Sequence, residues 1–420
     1  MIPIWVSFLI TLAIILLLAK WDLGIGMFIG AIFLAIMTVD PYRVNLGEVS
    51  LVVFLNPQNI FLALAVTIIP LLGGIMNESG LMMELINRLD VSNKWSLMLS
   101  PSLFGLLPMP GGALLSAPLV DKIDPNIPPP KKVAINVWFR HVLILIYPLQ
   151  GSILVITEIV GYPNPYLTSG VLLIPFIIMV TIGYLYLILT TPKIERKNNR
   201  KLWIFLRDVF PILLAPLIDI IGRICLGQLE KNNIIVPNWV VPEIFLFFGL
   251  ILSVVTSLCF SKIAQSKEIS YIPPNRIFSI SKKMKVWKYP IVIFAMFFFL
   301  EVFTRSGLPE FISALNAPLS LLLLLSFVLG IGTGRVQLPG SIIFPIYMTQ
   351  FSLTIVPYFD FALIYFAIFL GYIMTPIHPC LAYSIDYFKT TYPKSFKHIV
   401  IPCLIGLASL FVVYGISLLF

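Results

Sequence analysis

The chain has 420 residues, 59% of them hydrophobic and only 11% charged, with a formal net charge of +9. A soluble domain is about 25% charged, so the composition marks a polytopic integral membrane protein, and no nucleic-acid partner is expected. The surplus of Lys and Arg then bears on topology and lipid headgroups. In chain order, apolar segments fall at 3–19, 24–39, 58–75, 95–118, 133–157 and 167–190, then at 208–226, 240–260, 289–304, 318–345, 361–385 and 398–419. The first has no basic residue before it and Lys20 straight after. A cleavable signal peptide has the opposite polarity, so this segment is expected to be a span with its N-terminus outside.

Two segments are unlike the rest. Segment 95–118 carries Pro101, Gly105, Pro108, Pro110, Gly111, Gly112 and Pro118, and segment 318–345 is broken by Pro and Gly in the same way. Each interior proline costs a helix about 3 kcal/mol and each glycine about 1, so neither segment is one continuous helix. The halves also echo each other. Ser79-Gly80-Leu81 recurs as Ser306-Gly307-Leu308, Pro110-Gly111 as Pro339-Gly340, and Pro148 as Pro376, at offsets of 227, 229 and 228. Three matches in order at nearly one offset indicate an internal duplication.

Charge decides how the broken segments run. If both are re-entrant, 22 of the 28 Lys and Arg fall inside and three outside (Arg43, Lys231, Arg305); if both cross, the split is 17 to 8. The positive-inside rule favours re-entry. The expected fold is an all-α polytopic membrane protein of two inverted five-span repeats, each with one re-entrant hairpin and one broken helix. Residues 1–190 form the first repeat, 191–207 a basic cytoplasmic linker, and 208–420 the second repeat, which includes a basic cytoplasmic loop at 261–288. Both termini lie outside.

Non-helical backbone is tolerated at membrane depth only when buried in protein or lining a wet cavity, so the candidate site lies at the tips and breaks. Pro110, Gly111, Gly112, Gly340 and Ser341 free backbone groups for a ligand, with Ser116, Thr333 and Gln337 nearby; the alternative is tight helix packing by small residues. Arg335 on the second hairpin suits an anion as a bidentate fork, or else snorkels or pairs with a structural acid such as Glu301. The breaks at Tyr147-Pro148 and Thr375-Pro376 add Gln150, Ser152 and Thr375 as substrate contacts. His378 is the candidate carrier of a coupling proton, with a satisfied core histidine as the alternative, and Asp386 is a weaker candidate. Arg140 and His141 are read as interfacial anchors, Asp219–Arg223 and Glu301–Arg305 as ion pairs four apart on helices, and 80–90 and its echo LPEFISAL as interfacial amphipathic helices. Cys225, Cys259, Cys380 and Cys403 have spacings that fit neither a metal site nor a disulfide framework. No P-loop, HExxH or paired-cysteine motif is present.

The strings LLPMPGGALLSAPLVD, WFRHVLILIYP and MTPIHPCLAYSIDYF resemble the ion-transporter superfamily of carboxylate, gluconate and lactate permeases and arsenite-efflux membrane subunits, above all its ten-span prokaryotic branch. The resemblance covers nearly the whole chain. It implies a scaffold domain, a hairpin-bearing transport domain, elevator-type motion and a homodimer. The sodium-coupled carboxylate members carry Ser-Asn-Thr at their hairpin tips, and neither hairpin here contains an asparagine. Sodium coupling and carboxylate choice therefore do not carry over.

The expected function is secondary active transport of a small anionic solute by alternating access of the hairpin-bearing domain, in the plasma membrane. The chain is read as a permease without cofactor or metal rather than an enzyme, coupled to H+ or Na+, with the solute and membrane lipids as partners. The alternatives are a cation/proton antiporter, which needs a titrating core carboxylate that the hairpins lack, an intramembrane lipid-modifying enzyme using His378 or His141, and a non-transporting lipid or scaffold protein in which the inverted repeat is relic architecture.

Overall fold

The computed structural model describes residues 3–18, 21–38, 43–87, 92–106, 112–191, 202–263, 269–314, 316–376 and 378–419. All regular structure among them is helical, as a chain in lipid requires when each segment must satisfy its own backbone. Among the described residues five helices are long and apolar enough to cross a membrane, and up to eight spans result if each bent pair counts as one. The shorter apolar helices Ile4–Leu18 and Leu23–Met37 are needed to reach ten. The chain forms two compact units, and each draws on both halves of the sequence. Unit 1 comprises Met1–Asp90, Leu107–Pro110 and Lys197–Ser306, and unit 2 comprises Val91–Leu106, Gly111–Arg196 and Gly307–Phe420.

Unit 1 is built on Pro57–Glu78, which packs against Glu243–Ile263 and Lys288–Arg305, with Leu202–Lys231 alongside Glu243–Ile263. Both ion pairs expected at i,i+4 form: Arg223 Nε lies 3.0 Å from Asp219, and Arg305 lies 2.5 Å from Glu301. Arg223 also reaches Glu243, at 3.0 Å. The helix Leu81–Asn87 forms where an interfacial one is expected, but Glu84 is buried and held by Arg207 at 2.9 Å. The segment 261–288 is likewise more than a loop. Its helix Pro274–Met284 docks Ile280 and Met284 onto Gly74 of helix 57–78, and it bends 45° into Lys288–Arg305.

Asp22 caps Leu23–Met37, accepting from the N–H groups of Gly24 and Ile25, and takes a hydrogen bond of 2.5 Å from Lys288. Burial alone would push its carboxyl up. The Lys288 hydrogen bond and charge and the two backbone donors outweigh that and hold it below the usual carboxylate range. A depressed carboxyl contributes stability above its ordinary range and loses it as pH falls through the lowered value. The acid limb of the unfolding temperature in detergent is therefore expected to flatten in Asp22→Asn. An unchanged acid limb would exclude this contribution.

Unit 2 holds the paired helices of both hairpins and both broken helices. The first hairpin pairs Asn93–Gly105 with Gly112–Ile123, and the second pairs Leu319–Thr333 with Gln337–Gln350 across a turn at Gly334, whose φ is +61°. The broken helices are Pro129–Val142 followed by Gly151–Ile159, and Tyr358–Met374 followed by Pro379–Tyr387. In both halves the first hairpin helix meets its broken helix backbone to backbone. A Cβ at Gly105 would strike the carbonyl of Arg140, and one at Gly330 would strike that of Ile368, while Gly371 faces the Phe327 carbonyl in return. Gly371→Leu is expected to lower stability by about 1–3 kcal/mol, read as a drop in unfolding temperature. Gly415→Ala, with nothing within 4 Å of the added carbon, should leave that temperature unchanged or slightly higher.

The sequence echoes have local counterparts. Gly80 and Gly307 both take positive φ, +82° and +73°, and each opens a short helix, Leu81–Asn87 and Leu308–Ser313.

Candidate functional site

Proline makes the two breaks. It removes a backbone donor and forces the preceding residue into extended conformation. Tyr147, before Pro148, has φ −82° and ψ 110°. Thr375, before Pro376, has φ −64° and ψ 137°, and His378, before Pro379, has φ −69° and ψ 118°. A single 3-10 turn, Ile144–Ile146, leads into the first break, where the helix bends by 41°.

The broken helices run antiparallel, and each arm is tied to the opposite arm of the other. Asn136, ahead of the first break, donates to Ser384 Oγ beyond the second at 2.9 Å. Ser152, beyond the first break, lies 3.1 Å from the hydroxyl of Tyr365, ahead of the second. Each hairpin's second helix covers one such crossing: 112–123 packs on 129–142 and 379–387, and 337–350 packs on 151–159 and 358–374. The nine-residue helices Gly151–Ile159 and Pro379–Tyr387 both start at a break, so their partial positive ends are directed there.

Polar groups without partners gather at the second break. Arg140, His141 and His378 are 3%, 0% and 1% exposed. The reading of Arg140 and His141 as interfacial anchors therefore gives way: both are turned into the unit. Arg140 has no hydrogen-bond or ion-pair partner among the described residues, and its Nη1 is buried. His141 donates from Nδ1 to the carbonyl of Val137 at 2.6 Å, which leaves Nε2 as a bare lone pair. Both ring nitrogens of His378 and the hydroxyl of Thr375 are buried and unpartnered among the described residues. The imidazoles of His141 and His378 lie 4.7 Å apart, centroid to centroid, and the ring of Tyr372 meets both edge-on at 5.3 and 4.5 Å. Arg140 lies close enough to act electrostatically on both histidines and on Tyr372, and Arg335 acts on Tyr372 as well.

The residues singled out from sequence separate into groups. Thr375 and His378 sit at this cluster. Gln150 and Ser152 mark the first break, where the Gln150 Oε1 is buried without a partner among the described residues. Arg335 is exposed on the second hairpin turn, with Thr333 Oγ1 bonded to its carbonyl at 3.0 Å. Gln337 opens the following helix. Gly340 is a packing position, since a Cβ there would lie 2.5 Å from Ile156. Ser341 and Ser116 bond back to the carbonyls of Leu338 and Ala113 within their own helices. Gly112 begins the second helix of the first hairpin, while Pro110 and Gly111 lie outside the described residues. Asp386 is exposed, 4.0 Å from Lys389. Sequence reading missed Arg140, His141 and Cys380 as members of one cluster; the only sequence signal was their nearness to the two proline breaks.

A family model described as "Protein of unknown function (DUF401)" matches residues 5–417. The crystal structure of the YdaH transporter of Alcanivorax borkumensis matches with a TM-score of 0.53 over 98% of each chain, at 14% sequence identity. At that identity the likeness is one of fold. None of the curated proteins matches the sequence.

Proposed function

The chain belongs to the DUF401 family, and from its membrane fold and its candidate site we propose that it is a secondary active transporter, a permease for a small anionic solute, with unit 2 as the body that carries the solute through alternating access. The observation that carries the reading is Arg140, a guanidinium 3% exposed with no partner among the described residues. A buried cation at membrane depth needs a counter-charge or a wet surrounding, and a planar fork suits carboxylate or phosphate. Arg335 and the helix ends at the breaks add positive potential in the same unit. The grouping of the helices of both hairpins with both broken helices supports the pairing of two inverted repeats. The likeness of the YdaH transporter's fold supports transport as the class, and a place among the carboxylate, gluconate and lactate permeases is part of the same proposal.

The test is ligand-dependent thermal stabilisation of the detergent-purified protein. Its panel holds carboxylates, sugar acids, phosphate and arsenite, with and without sodium, at acidic and neutral pH. A ligand at a hundred times its dissociation constant stabilises by about 2.7 kcal/mol, and a hit should be lost in Arg140→Met. Silence across the panel in folded protein would remove the anion reading.

A further inference from the structure

Beside Arg140 the second break assembles a second kind of chemistry. The side-chain donor atoms of His141, His378 and Cys380 all lie within 4.8 Å of one another, although 239 residues separate the first from the last. We propose that these three side chains form a binding site for a transition-metal ion of the zinc class.

Three observations support it. A point equidistant from three atoms 4.8 Å apart lies about 2.8 Å from each, so each donor needs to move inward by only about 0.5–0.8 Å to reach Zn–S and Zn–N bonding distances. The His141 ring is already fixed as a ligand: Nδ1–H is held by the Val137 carbonyl at 2.6 Å, and Nε2 points its lone pair at no partner among the described residues. Metal-bound histidines are oriented by that same hydrogen bond to backbone. His378 is 1% exposed with neither ring nitrogen bonded to a described residue, a costly state for a buried imidazole that coordination would relieve.

Two imidazoles and a thiolate form a borderline-soft set that suits zinc and its neighbours and discriminates against calcium and magnesium, which take oxygen. Cys380 binds as the thiolate and releases its proton to solvent, the imidazoles bind as neutral donors, and no electron is transferred. Three protein ligands leave a fourth position open. With the Arg140 charge beside it, that position accepts an anion or water rather than a further cationic group. The site goes beyond the transport reading and does not depend on it, because metal binding is read directly.

The test uses the full-length protein in detergent, stripped with a chelator and reloaded with Zn2+ or Co2+. Wild-type protein is expected to retain about one Zn2+ per chain and, with Co2+, to show a thiolate-to-metal charge-transfer band. His378→Ala should weaken Zn2+ at least about 100-fold. Cys380→Ser should abolish the charge-transfer band while keeping the wild-type elution profile, and Cys403→Ser, at a buried cysteine outside the cluster, should keep the band. If His378→Ala does not fold, the Cys380→Ser spectrum decides. Absence of stoichiometric metal in wild-type protein, or metal binding indifferent to Cys380→Ser, overturns the proposal whether or not any solute is later found to be transported.

Discussion

Arg223→Met is expected to lower the stability of the protein by about 3–5 kcal/mol. Its guanidinium holds Asp219 Oδ2 and Glu243 Oε1, both at 3.0 Å, and the two acids are 0% and 2% exposed. Removing the cation leaves two carboxylates facing each other away from water, and the penalty is chiefly theirs rather than the lost attraction. The same reasoning gives the rescue. Arg223→Met combined with Asp219→Leu and Glu243→Met removes all three charges at similar volume and should recover most of the loss. Arg223→Lys should fall between, because an ammonium cannot fork to two carboxylates as a guanidinium does. Unfolding in detergent measures all three. A single-variant loss below about 1 kcal/mol would mean that the carboxylates find water or protons without Arg223.

The same substitution at Arg140 should have the opposite sign for stability. Arg140→Met removes a buried charge that has no partner among the described residues, so the ligand-free protein is expected to become more stable. It should at the same time lose its anion. Truncating one partner of a buried charged pair costs about 2–5 kcal/mol of binding, a weakening of at least about thirtyfold in dissociation constant. Stability gained where affinity is lost is the expected signature of a residue kept for function. If Arg140→Met destabilises the ligand-free protein as Arg223→Met does, Arg140 is a structural cation and the anion site lies elsewhere.

The sequence made some features legible and hid others for physical reasons. Proline breaks a helix through its own missing donor and the restricted residue before it, so the breaks at Tyr147-Pro148 and Thr375-Pro376 could be read directly. Ion pairs four apart follow from helix geometry, and both formed. Glu243, the third member of the Arg223 group, sits 20 residues away on another helix, beyond any local pattern. Arg140 shows a related limit. Hydropathy places a residue along the membrane normal but says little about rotation around the helix axis. That rotation decides whether the side chain meets lipid headgroups or the protein interior. Cys380 looked inert because spacing along the chain, not in space, was the only distance available.

The division of the chain has a consequence for how the protein is made. Unit 2 is assembled from three separate stretches, Val91–Leu106, Gly111–Arg196 and Gly307–Phe420. Asn136 finds Ser384 only 248 residues later, and Ser152 finds Tyr365 after 213. At about 5–20 residues per second, roughly 12–50 s of translation pass between the emergence of Asn136 and that of its partner. Throughout that interval Asn136, Arg140 and His141 are already made and packed against the earlier hairpin helices 93–105 and 112–123, while 358–374, 379–387 and 392–417, which complete their surroundings, are not. The nascent first half must therefore be sheltered at the insertion machinery or rest shallowly in the bilayer, and a ribosome stalled before residue 358 would leave an uncovered polar seam in lipid.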